Sequence, residues 1–241
     1  EMKAHAVGDS GVQLDRARPV RQLPGFDQGE FSVQDAAAQL AAPLLLDGLA
    51  APAGRSLRVL DACAAPGGKT AHLLELADID LLALDADGDR LVRVEQNLER
   101  LGLASKRVQL KAADAADLDA WWDGKPFDAV LADVPCTASG IVRRHPDIRW
   151  LRRENDVRRT ATLQARILDS LWTTVAPGGR LLYVTCSVFP IEGARQALEF
   201  LQRHPEATRL DAPGQLLPVA VDATPAAQRD GFFYALFAKQ S

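Results

Sequence analysis

The stretch Asp-Ala-Cys-Ala-Ala-Pro-Gly-Gly-Lys-Thr at residues 61–70 lies between an apolar run, Leu57–Cys63, and a helical pattern, Gly68–Ala77. This order predicts a strand, a tight turn of small residues and a helix. Small residues and two glycines let the backbone approach a ligand closely, and the amide groups that begin a helix face such a ligand unpaired. The stretch therefore predicts a ligand-binding loop in an α/β protein.

Strand and helix patterns alternate on both sides of this loop. Further strands are predicted at Ile79–Asp85, Arg107–Leu110, Phe127–Val134, Arg180–Cys186 and Gly231–Lys239. Helices are predicted at Gln34–Leu49, with an interruption or kink at Pro43, and at Gly88–Leu101, Asn155–Val175 and Ile191–Arg203. Asp87 is the expected N-cap of the helix that begins at Gly88, and Gly102 the expected stop. The alternation predicts an α/β, Rossmann-like fold with a doubly wound, mostly parallel sheet.

Length and composition are those of one soluble globular domain. The 241 residues suffice for a single large α/β core, and a charged fraction of 25% is ordinary. Residues 1–24 are polar without a clear period, so they are interpreted as a linker or the remnant of a preceding domain, which leaves 25–241 as the main domain. No apolar run is long enough for a membrane helix and no secretory signal is evident, so we expect a cytoplasmic protein.

The cysteine and histidine residues do not form a recognisable framework. Cys63, Cys136 and Cys186 are far apart and odd in number, and the four histidines are scattered. Neither a set of disulfides nor a zinc site with paired ligands has this spacing. We expect reduced thiols and no metal.

Several chemically distinctive residues follow the predicted strands, where ligands bind in open α/β sheets. Asp85 ends the second strand, at the position where a carboxylate commonly holds ribose hydroxyls. Asp114 follows the third strand and is placed to accept a hydrogen bond from an adenine amino group. Together with the loop at 63–69, these carboxylates predict a nucleoside site, although each one alone is equally compatible with a turn or a helix cap.

A phosphate-binding P-loop is the alternative for the same loop. Gly68-Lys69-Thr70 matches the end of that motif, and Ala129–Asp133 resembles a strand that ends in a magnesium-binding aspartate. The first glycine that the motif requires falls at Cys63, however, so a side chain would occupy its tightest point. The pattern therefore disfavours an NTPase.

Two thiols are expected at the same edge of the sheet. The fourth strand ends in Asp133-Val134-Pro135-Cys136 and the fifth in Thr185-Cys186-Ser187. Enzymes that methylate amino groups of adenine or cytosine carry an aromatic residue where Cys136 stands, so a thiol indicates chemistry on a ring carbon. A single cysteine at a strand end is more often a small buried hydrophobe. Two of them beside a nucleoside site favour a chemical role.

These motifs resemble those of the RNA cytosine-C5 methyltransferase family, the Sun/Nop2 group, and most of all its bacterial small-subunit ribosomal RNA members. The similarity extends from Leu23–Phe26 and Val33–Asp35 to Asp230–Tyr234, nearly the whole chain. Its most specific pieces are residues 61–70, the Thr-Cys-Ser motif, and Arg-Arg-His-Pro-Asp-Ile-Arg-Trp at residues 143–150. The chain departs from the family at Val134, where alanine is usual.

The resemblance implies a class I methyltransferase fold, S-adenosylmethionine as cofactor and 16S ribosomal RNA as substrate. We also expect a monomer. The resemblance implies Cys186 as the nucleophile, Cys136 as an aid to product release, and Asp133 as a partner of the cytosine. It also implies an N-terminal helical RNA-binding domain that this chain lacks. The residues implied for cofactor binding are Cys63, Ala64, Ala65, Pro66, Gly67, Gly68, Lys69, Asp85, Asp114 and Asp133.

The segment from Arg143 to Arg159 is locally basic in a chain whose net charge is −4. Its seven arginines against three acids predict contacts with RNA phosphates, for which Arg143, Arg144 and His145 are the candidates. A solvated helix face is the competing interpretation of such a charge pattern. Trp150 is placed either to stack on a base or to pack in a core or interface.

Two other functions remain open at this point. In a DNA cytosine-C5 methyltransferase the thiol of the Pro-Cys motif, here Cys136, would attack the base. A ribosome-assembly factor would keep the fold and bind RNA without turnover.

Overall fold

The computed structural model describes residues 3–8, 10–219 and 228–240. A hairpin of β1 (Ala4–Val7) and β2 (Gly11–Leu14) precedes a seven-stranded sheet in the order β5-β4-β3-β6-β7-β9-β8. The first five strands in that order are parallel, and β9 is antiparallel to both of its neighbours, β7 and β8. The predicted doubly wound, mostly parallel sheet is confirmed. The sheet strands are β3 (Leu57–Asp61), β4 (Ile79–Asp85), β5 (Val108–Ala112), β6 (Phe127–Asp133), β7 (Val175–Thr185), β8 (Ala207–Leu216) and β9 (Phe232–Lys239).

Helices connect the parallel strands and lie on both faces of the sheet. They are α1 (Ala41–Leu46), α2 (Gly68–Leu76), α3 (Gly88–Arg100), α4 (Leu118–Trp121), α5 (Ile148–Leu151), α6 (Glu154–Thr174) and α7 (Ala194–Arg203). Short 3-10 turns occur at Val20–Gln22, Ala38–Leu40, Ser139–Ile141 and Pro190–Glu192. None of the helices in the described part of the chain is long and apolar enough to cross a membrane.

The helix α3 forms where its sequence signals predicted. The carboxylate of Asp87 accepts hydrogen bonds from the backbone amides of Asp89 and Arg90, which is N-capping. Leu91, Val94 and Leu98 are its buried side chains, at the spacing of one helix face. Gly102, with φ of 68°, follows the helix in the left-handed conformation that commonly ends one.

Four segments differ from the sequence-based predictions. Residues 1–24 were expected to lack regular structure, but their described part contains the β1–β2 hairpin. The helix predicted from Gln34 begins only at Ala41, which puts Pro43 in its first turn, where a missing N–H costs no hydrogen bond. The strand predicted from Arg180 begins at Val175 and carries Pro177-Gly178-Gly179 as an irregularity, and the edge strand β8 was not predicted.

The core lies on both faces of the sheet, which explains why the central strands are almost uniformly apolar. In β6, Ala129 and Leu131 pack with α1 side chains, whereas Val130 and Ala132 pack with those of α6 and α7. Trp172 and Phe200 join the second of these layers as an edge-to-face pair. With both faces covered, the loops after the strand ends are the open part of the sheet.

Candidate active site

The loop after β3 is fixed between the neighbouring strands by its own backbone. The amide of Ala62 donates to a carbonyl of β6 at 2.9 Å, and the amide of Ala64 donates to a carbonyl of β4 at 2.7 Å. At Gly67, φ is 97° and an added Cβ would lie 3.1 Å from the Cα of Val94. Because only glycine accommodates both conditions, the chain can turn sharply into α2 at this point.

A cleft of about 480 Å³ opens where this loop meets the end of β6. Seven of the ten cofactor residues predicted from sequence line it: Cys63, Ala64, Ala65, Pro66, Gly68, Lys69 and Asp133. Of the other lining residues, only Arg144 has a function predicted from the sequence. These residues are Val33, Gln34, Asp35, Ala38, Arg144 and Phe232. The cleft thus brings together most of one predicted site and one residue of another.

An ion pair crosses the cleft. The Lys69 Nζ donates to Oδ2 of Asp133 at 2.6 Å and lies 5.3 Å from the centre of the Phe232 ring. Burial opposes the charge of Lys69, but the charge of Asp133 and the hydrogen bond to it outweigh burial and raise the pKa of Lys69. The lysine is therefore a stable cation with a carboxylate partner, in the position where a P-loop lysine would face a phosphate.

Asp85 lies beside the cleft rather than in its lining. Its Oδ2 accepts the amide of Ala65 at 3.0 Å, its Oδ1 accepts the amide of Asp87 at 3.0 Å, and Arg90 lies 3.7 Å away. The carboxylate is buried, so these contacts fix both the loop after β3 and the start of α3. Each carboxylate oxygen retains capacity for a second donor.

Asp114 and Gly67 also lie outside the cleft lining. The carboxylate of Asp114 accepts the amide of Ala116 at 2.9 Å and Arg166 at 2.8 Å. Its side chain is 43% exposed, so the remaining acceptor positions are open to solvent. Since Asp114 follows β5 and Asp85 ends β4, the two carboxylates lie on successive strands to one side of the cleft.

The structure places the two predicted thiols in contact. The sulfur atoms of Cys136 and Cys186 are 3.3 Å apart, a distance at which one S–H donates a hydrogen bond to the other sulfur. Cys136 belongs to the loop after β6 and Cys186 follows β7, and these strands are paired in parallel. The amide of Gly140 donates to the Cys186 carbonyl at 2.9 Å and connects the two loops a second time.

The two thiols differ in acidity because of this contact. The hydrogen bond from Cys136 lowers the pKa of Cys186, and the Lys69 charge acts in the same direction, against burial and the Asp133 charge. The same hydrogen bond, followed by burial, raises the pKa of Cys136 well above its ordinary value. Cys186 is therefore the thiol of the pair that ionises more readily, with Cys136 as the donor to its thiolate.

Cys63 has a different environment from the other two cysteines. Burial, followed by the charges of Asp133 and Asp61, raises the pKa of its thiol well above the ordinary value. A neutral thiol is a small and weakly polar wall for a ligand. All three cysteines are free.

The predicted RNA-binding residues occupy different environments. Arg144 donates from Nε to the buried Asp230 at 2.7 Å, and a guanidinium nitrogen of Arg143 lies 3.3 Å from Asp230 and 3.7 Å from Asp35. Arg143 is therefore largely committed to internal carboxylates, whereas half of the Arg144 side chain is exposed and lines the cleft. His145 is exposed.

Trp150 lies on the surface, which excludes a position in the core. It is 82% exposed and its neighbour Leu151 is 59% exposed. The guanidinium of Arg149 lies 5.9 Å from the Trp150 ring centre. Arg153 and Arg159, farther along the same segment, are also exposed.

Sequence reasoning missed polar residues that come from distant parts of the chain. The side-chain amide nitrogen of Gln34 is buried without a hydrogen-bond partner among the described residues, and Gln34 lines the cleft. Asp61, at the end of β3, accepts from Thr70 at 2.7 Å, and burial raises its pKa to about 7. The position of Asp61 at a strand end was a usable signal for this residue, and for Gln34 the only signal was its place in the family-like segment Val33–Asp35.

A comparison with protein families decides where this arrangement belongs. The family model of 16S rRNA methyltransferase RsmB/F matches residues 49–238, which include every residue of the loop, the ion pair and the thiol pair. The chain belongs to this RsmB/F family. The Rossmann-like sheet is therefore the methyltransferase variant of that fold, as the resemblance in the sequence implied.

Individual relatives agree with the family assignment. Ribosomal RNA small subunit methyltransferase B of Xanthomonas campestris is 51% identical over 243 residues, covering 95% of this chain and 52% of its own length. The chain spans about half the length of the curated relatives it matches. Among solved structures, PH0851 is 32% identical with a TM-score of 0.83, covering 99% of this chain and 54% of that one. NSun6 from Pyrococcus horikoshii, solved with SFG, is 26% identical with a TM-score of 0.76, covering 95% and 59%.

Proposed function

We propose that this chain carries the catalytic centre of an S-adenosylmethionine-dependent enzyme that methylates carbon 5 of a cytosine in 16S ribosomal RNA. The observation that carries the proposal is the thiol pair, in which the two sulfur atoms are 3.3 Å apart and the contact with Cys136 lowers the pKa of Cys186. A thiolate at the carboxyl edge of a Rossmann-like sheet is a nucleophile next to a nucleoside site. The names of the family and of its relatives support the RNA substrate.

The cleft has the features that S-adenosylmethionine needs. It is lined by small side chains, a neutral thiol and an ion pair, and the buried Gln34 amide nitrogen supplies a donor that has no partner in the described part of the chain. The residues at 63–69 and Asp133 would hold the cofactor there, with Asp85 and Asp114 farther along the strand ends. When bound, this cofactor supplies an electrophilic methyl group on a positively charged sulfur.

Cytosine needs activation before its carbon 5 can accept a methyl group, and Cys186 provides it. The Cys186 thiolate adds to carbon 6, which makes carbon 5 nucleophilic. After methyl transfer, carbon 5 loses its proton and the bond between sulfur and carbon 6 breaks, which restores the aromatic ring and the thiolate. Asp133, already oriented by Lys69, is positioned to bind the polar edge of the base, and Cys136 assists release of the product.

The exposed part of the segment from Arg143 to Arg159 would contact the RNA. Trp150 offers a solvent-exposed ring for stacking, and the neighbouring Arg149 and Arg153 are exposed cations for phosphates. Arg152 donates from Nε to the carbonyl of Thr137 at 2.7 Å, so this surface is joined to the loop that carries Cys136. Bound RNA would thus contact a segment directly connected to the thiols.

Covalent trapping separates the roles of the two cysteines. RNA that contains 5-fluorocytosine cannot lose a proton from carbon 5, so an adduct should accumulate when the protein and S-adenosylmethionine are present. We expect a denaturing-gel shift in the wild type that disappears in Cys186→Ala. In Cys136→Ala, adduct with unmodified RNA should accumulate because release is impaired. Loss of the adduct in Cys136→Ala alone would instead favour attack by Cys136, as in the DNA-type mechanism.

The substrate is tested in cells. Bisulfite sequencing of 16S ribosomal RNA from a strain that lacks the gene should show one cytosine that has lost its methyl group. The wild-type gene should restore it, and the Cys186→Ala gene should not. An unchanged methylation pattern in the deletion strain would contradict the substrate, and restoration by Cys186→Ala would contradict the catalytic role.

A further inference from the structure

Glu192 is a fully buried carboxylate that the proposed reaction leaves without a task. It ends the 3-10 turn Pro190–Glu192, six residues after Cys186, and is 0% exposed. In the described part of the chain its partners are hydrogen-bond donors and not a cation. Burial of a carboxylate is costly unless several hydrogen-bond donors converge on it, so Glu192 can stay buried only while its donors remain in place.

The loop of Cys136 is bonded to Glu192 through the next residue. The amide of Thr137 donates to Oε1 of Glu192 at 3.0 Å, and its hydroxyl donates to Oε2 at 2.5 Å. Gln164 of α6 adds a third connection, because its Nε2 donates to Oε1 of Glu192 at 3.2 Å and to the carbonyl of Pro135 at 2.9 Å. The residues on both sides of Cys136 are thus held by the same group of atoms.

The loop of Cys186 is bonded to the same carboxylate. The hydroxyl of Ser187 donates to Oε2 of Glu192 at 2.6 Å. The backbone carbonyl of Glu192 also accepts from Thr185, the residue before Cys186, at 3.1 Å. Each cysteine is therefore followed in sequence by a residue, Thr137 or Ser187, that donates a hydrogen bond to the Glu192 carboxylate.

We propose that Glu192 is a positioning residue, whose buried carboxylate holds the two cysteine loops in the register that directs the Cys136 thiol at the Cys186 sulfur. The proposal rests on the proposed function for its catalytic meaning, because it assigns no contact with RNA or cofactor. The positions that it assigns to the two cysteine loops do not depend on the identity of the substrate. Without the carboxylate, the loops after β6 and β7 lose their shared acceptor, and the contact of 3.3 Å between the sulfur atoms loses its support.

Substitution of Glu192 by Gln tests this at constant volume. A carboxylate accepts on both oxygens, whereas a carboxamide presents one oxygen and an NH2 group that is itself a donor. In Glu192→Gln an NH2 group on the Oε1 side would face the N–H donors of Thr137 and Gln164. On the Oε2 side it would force the hydroxyls of Thr137 and Ser187 to turn from donors into acceptors, which breaks the bonds that both hydroxyls donate to the carboxylate. We expect the Cys136 thiol to move from the Cys186 sulfur while the sheet stays folded.

The readout is alkylation of each cysteine by iodoacetamide as a function of pH, resolved by peptide mass spectrometry on the intact protein without RNA. In Glu192→Gln we expect Cys186 to be alkylated about tenfold more slowly at pH 7, as a rise of one unit in its pKa would produce. Cys63, which lies outside the network, should keep its alkylation profile and serves as the internal reference.

Glu206→Gln is the matched control. Glu206 also accepts a hydrogen bond from a buried side chain, Trp172, but far from the thiols in the fold, so its replacement should leave the Cys186 profile unchanged. If Glu192→Gln does not fold, Ser187→Ala removes one donor and keeps the carboxylate, with Ser170→Ala as its control. A shift in Ser187→Ala but not in Ser170→Ala supports the proposal.

Two results would overturn it. One is a folded Glu192→Gln, verified by circular dichroism, whose Cys186 profile overlaps that of the wild type. The other is an equal shift in Glu206→Gln, which would reveal a general loss of stability. Because the measurement needs neither RNA nor methyl donor, an absence of RNA methylation would contradict the proposed function without affecting this result.

Discussion

At the scale of single residues, the two thiols differ in acidity because of their hydrogen-bond contact. Each is a cysteine at a strand end, and the sequence ranks them only through resemblance. In the structure the two sulfur atoms are in hydrogen-bond contact, and the pKa of Cys186 is lowered whereas that of Cys136 is raised, which makes Cys136 the donor when Cys186 carries the negative charge. A thiol whose anion is stabilised in this way reacts faster below the pKa of an ordinary cysteine.

Removal of the donor therefore changes the pH dependence of its partner. The folded-state pKa of Cys186 is lowered, so its thiolate is present at a pH where a free thiol is still protonated. In Cys136→Ala we expect the midpoint of Cys186 alkylation to move to higher pH, with slower alkylation throughout the range below the new midpoint. Alkylation rates between pH 6 and 10 measure this. An unchanged or lower midpoint would mean that Cys136 does not stabilise the thiolate.

Local sequence predicted the site residues that are close to one another along the chain, and missed those that are not. The seven cleft residues identified in advance belong to the loop after β3 or to the end of β6. Arg144 and Asp230 are 86 residues apart, and their ion pair depends on how the chain returns through β9. The role of Glu192 likewise follows from donors contributed by three separate segments, which no motif spacing encodes.

At the scale of elements, the buried parallel strands were predicted most accurately. The bounds of β4 were predicted to the residue, because a mostly buried apolar run has a sharp beginning and end. The edge strand β8 was missed because Pro213 and Gly214 interrupt it, as they would a loop, and its ladder is irregular between Leu210 and Gly214. Edge strands tolerate such residues because only one side is paired.

The loop after β6 depends on a close backbone crossing at Gly140. Its amide donates to the Cys186 carbonyl, its carbonyl accepts from Gly231, and an added Cβ would lie 2.0 Å from the carbonyl oxygen of Gly231. Gly140→Ala should therefore displace the loop and lower the free energy of unfolding by about 1–3 kcal/mol, measured by urea denaturation. Gly88→Ala is the control, since a Cβ there meets only Ala112 at 3.6 Å. Equal effects of the two substitutions would contradict this account.

The helix α5 presents its aromatic side chain to solvent rather than to the core. Ile148 is buried and anchors the helix, whereas Trp150 is 82% exposed. If the ring stacks on a base, Trp150→Ala should weaken binding of unmodified 16S RNA about tenfold, since stacking contributes roughly 1–3 kcal/mol per base. Fluorescence anisotropy at fixed salt measures the dissociation constant. Leu198→Ala, which removes another exposed apolar side chain, on α7, should leave the affinity unchanged.

At the scale of the whole molecule, the order of the strands determines which residues meet. The strands β3 and β6 are neighbours in the sheet although Asp61, the last residue of β3, and Phe127, the first residue of β6, are far apart in sequence. Since the two strands are parallel, the loop after β3 and the Asp133–Cys136 segment share one edge. The fold thereby concentrates acidic groups near the sheet centre. Asp61, Asp133 and Asp85 all contribute to the electrostatic environment of the Cys63 thiol. The carboxylates clustered at this edge of the sheet therefore lower the free energy of unfolding.

Asp61 shows how that cost depends on pH. Burial raises its pKa to about 7 in the folded protein, against an ordinary value of 3.8. Between these values the unfolded chain has released the proton that the folded protein retains, so this group destabilises the fold progressively as pH rises. Its contribution levels off above pH 7. The maximal slope for one such proton is about 1.4 kcal/mol per pH unit.

Asp61→Asn isolates this contribution because the amide does not titrate in this range. We expect the free energy of unfolding of the variant, relative to that of the wild type, to increase from pH 5 to pH 7 and then to stay level. Any fixed cost of the amide, such as a weaker bond to Thr70, shifts all values equally and leaves the slope unchanged. Urea denaturation at pH 5, 6, 7 and 8 measures the difference. A difference that does not vary with pH would show that Asp61 is already ionised in the folded protein at pH 5, and the charge would then have to be stabilised by Lys69 and Thr70 against its burial.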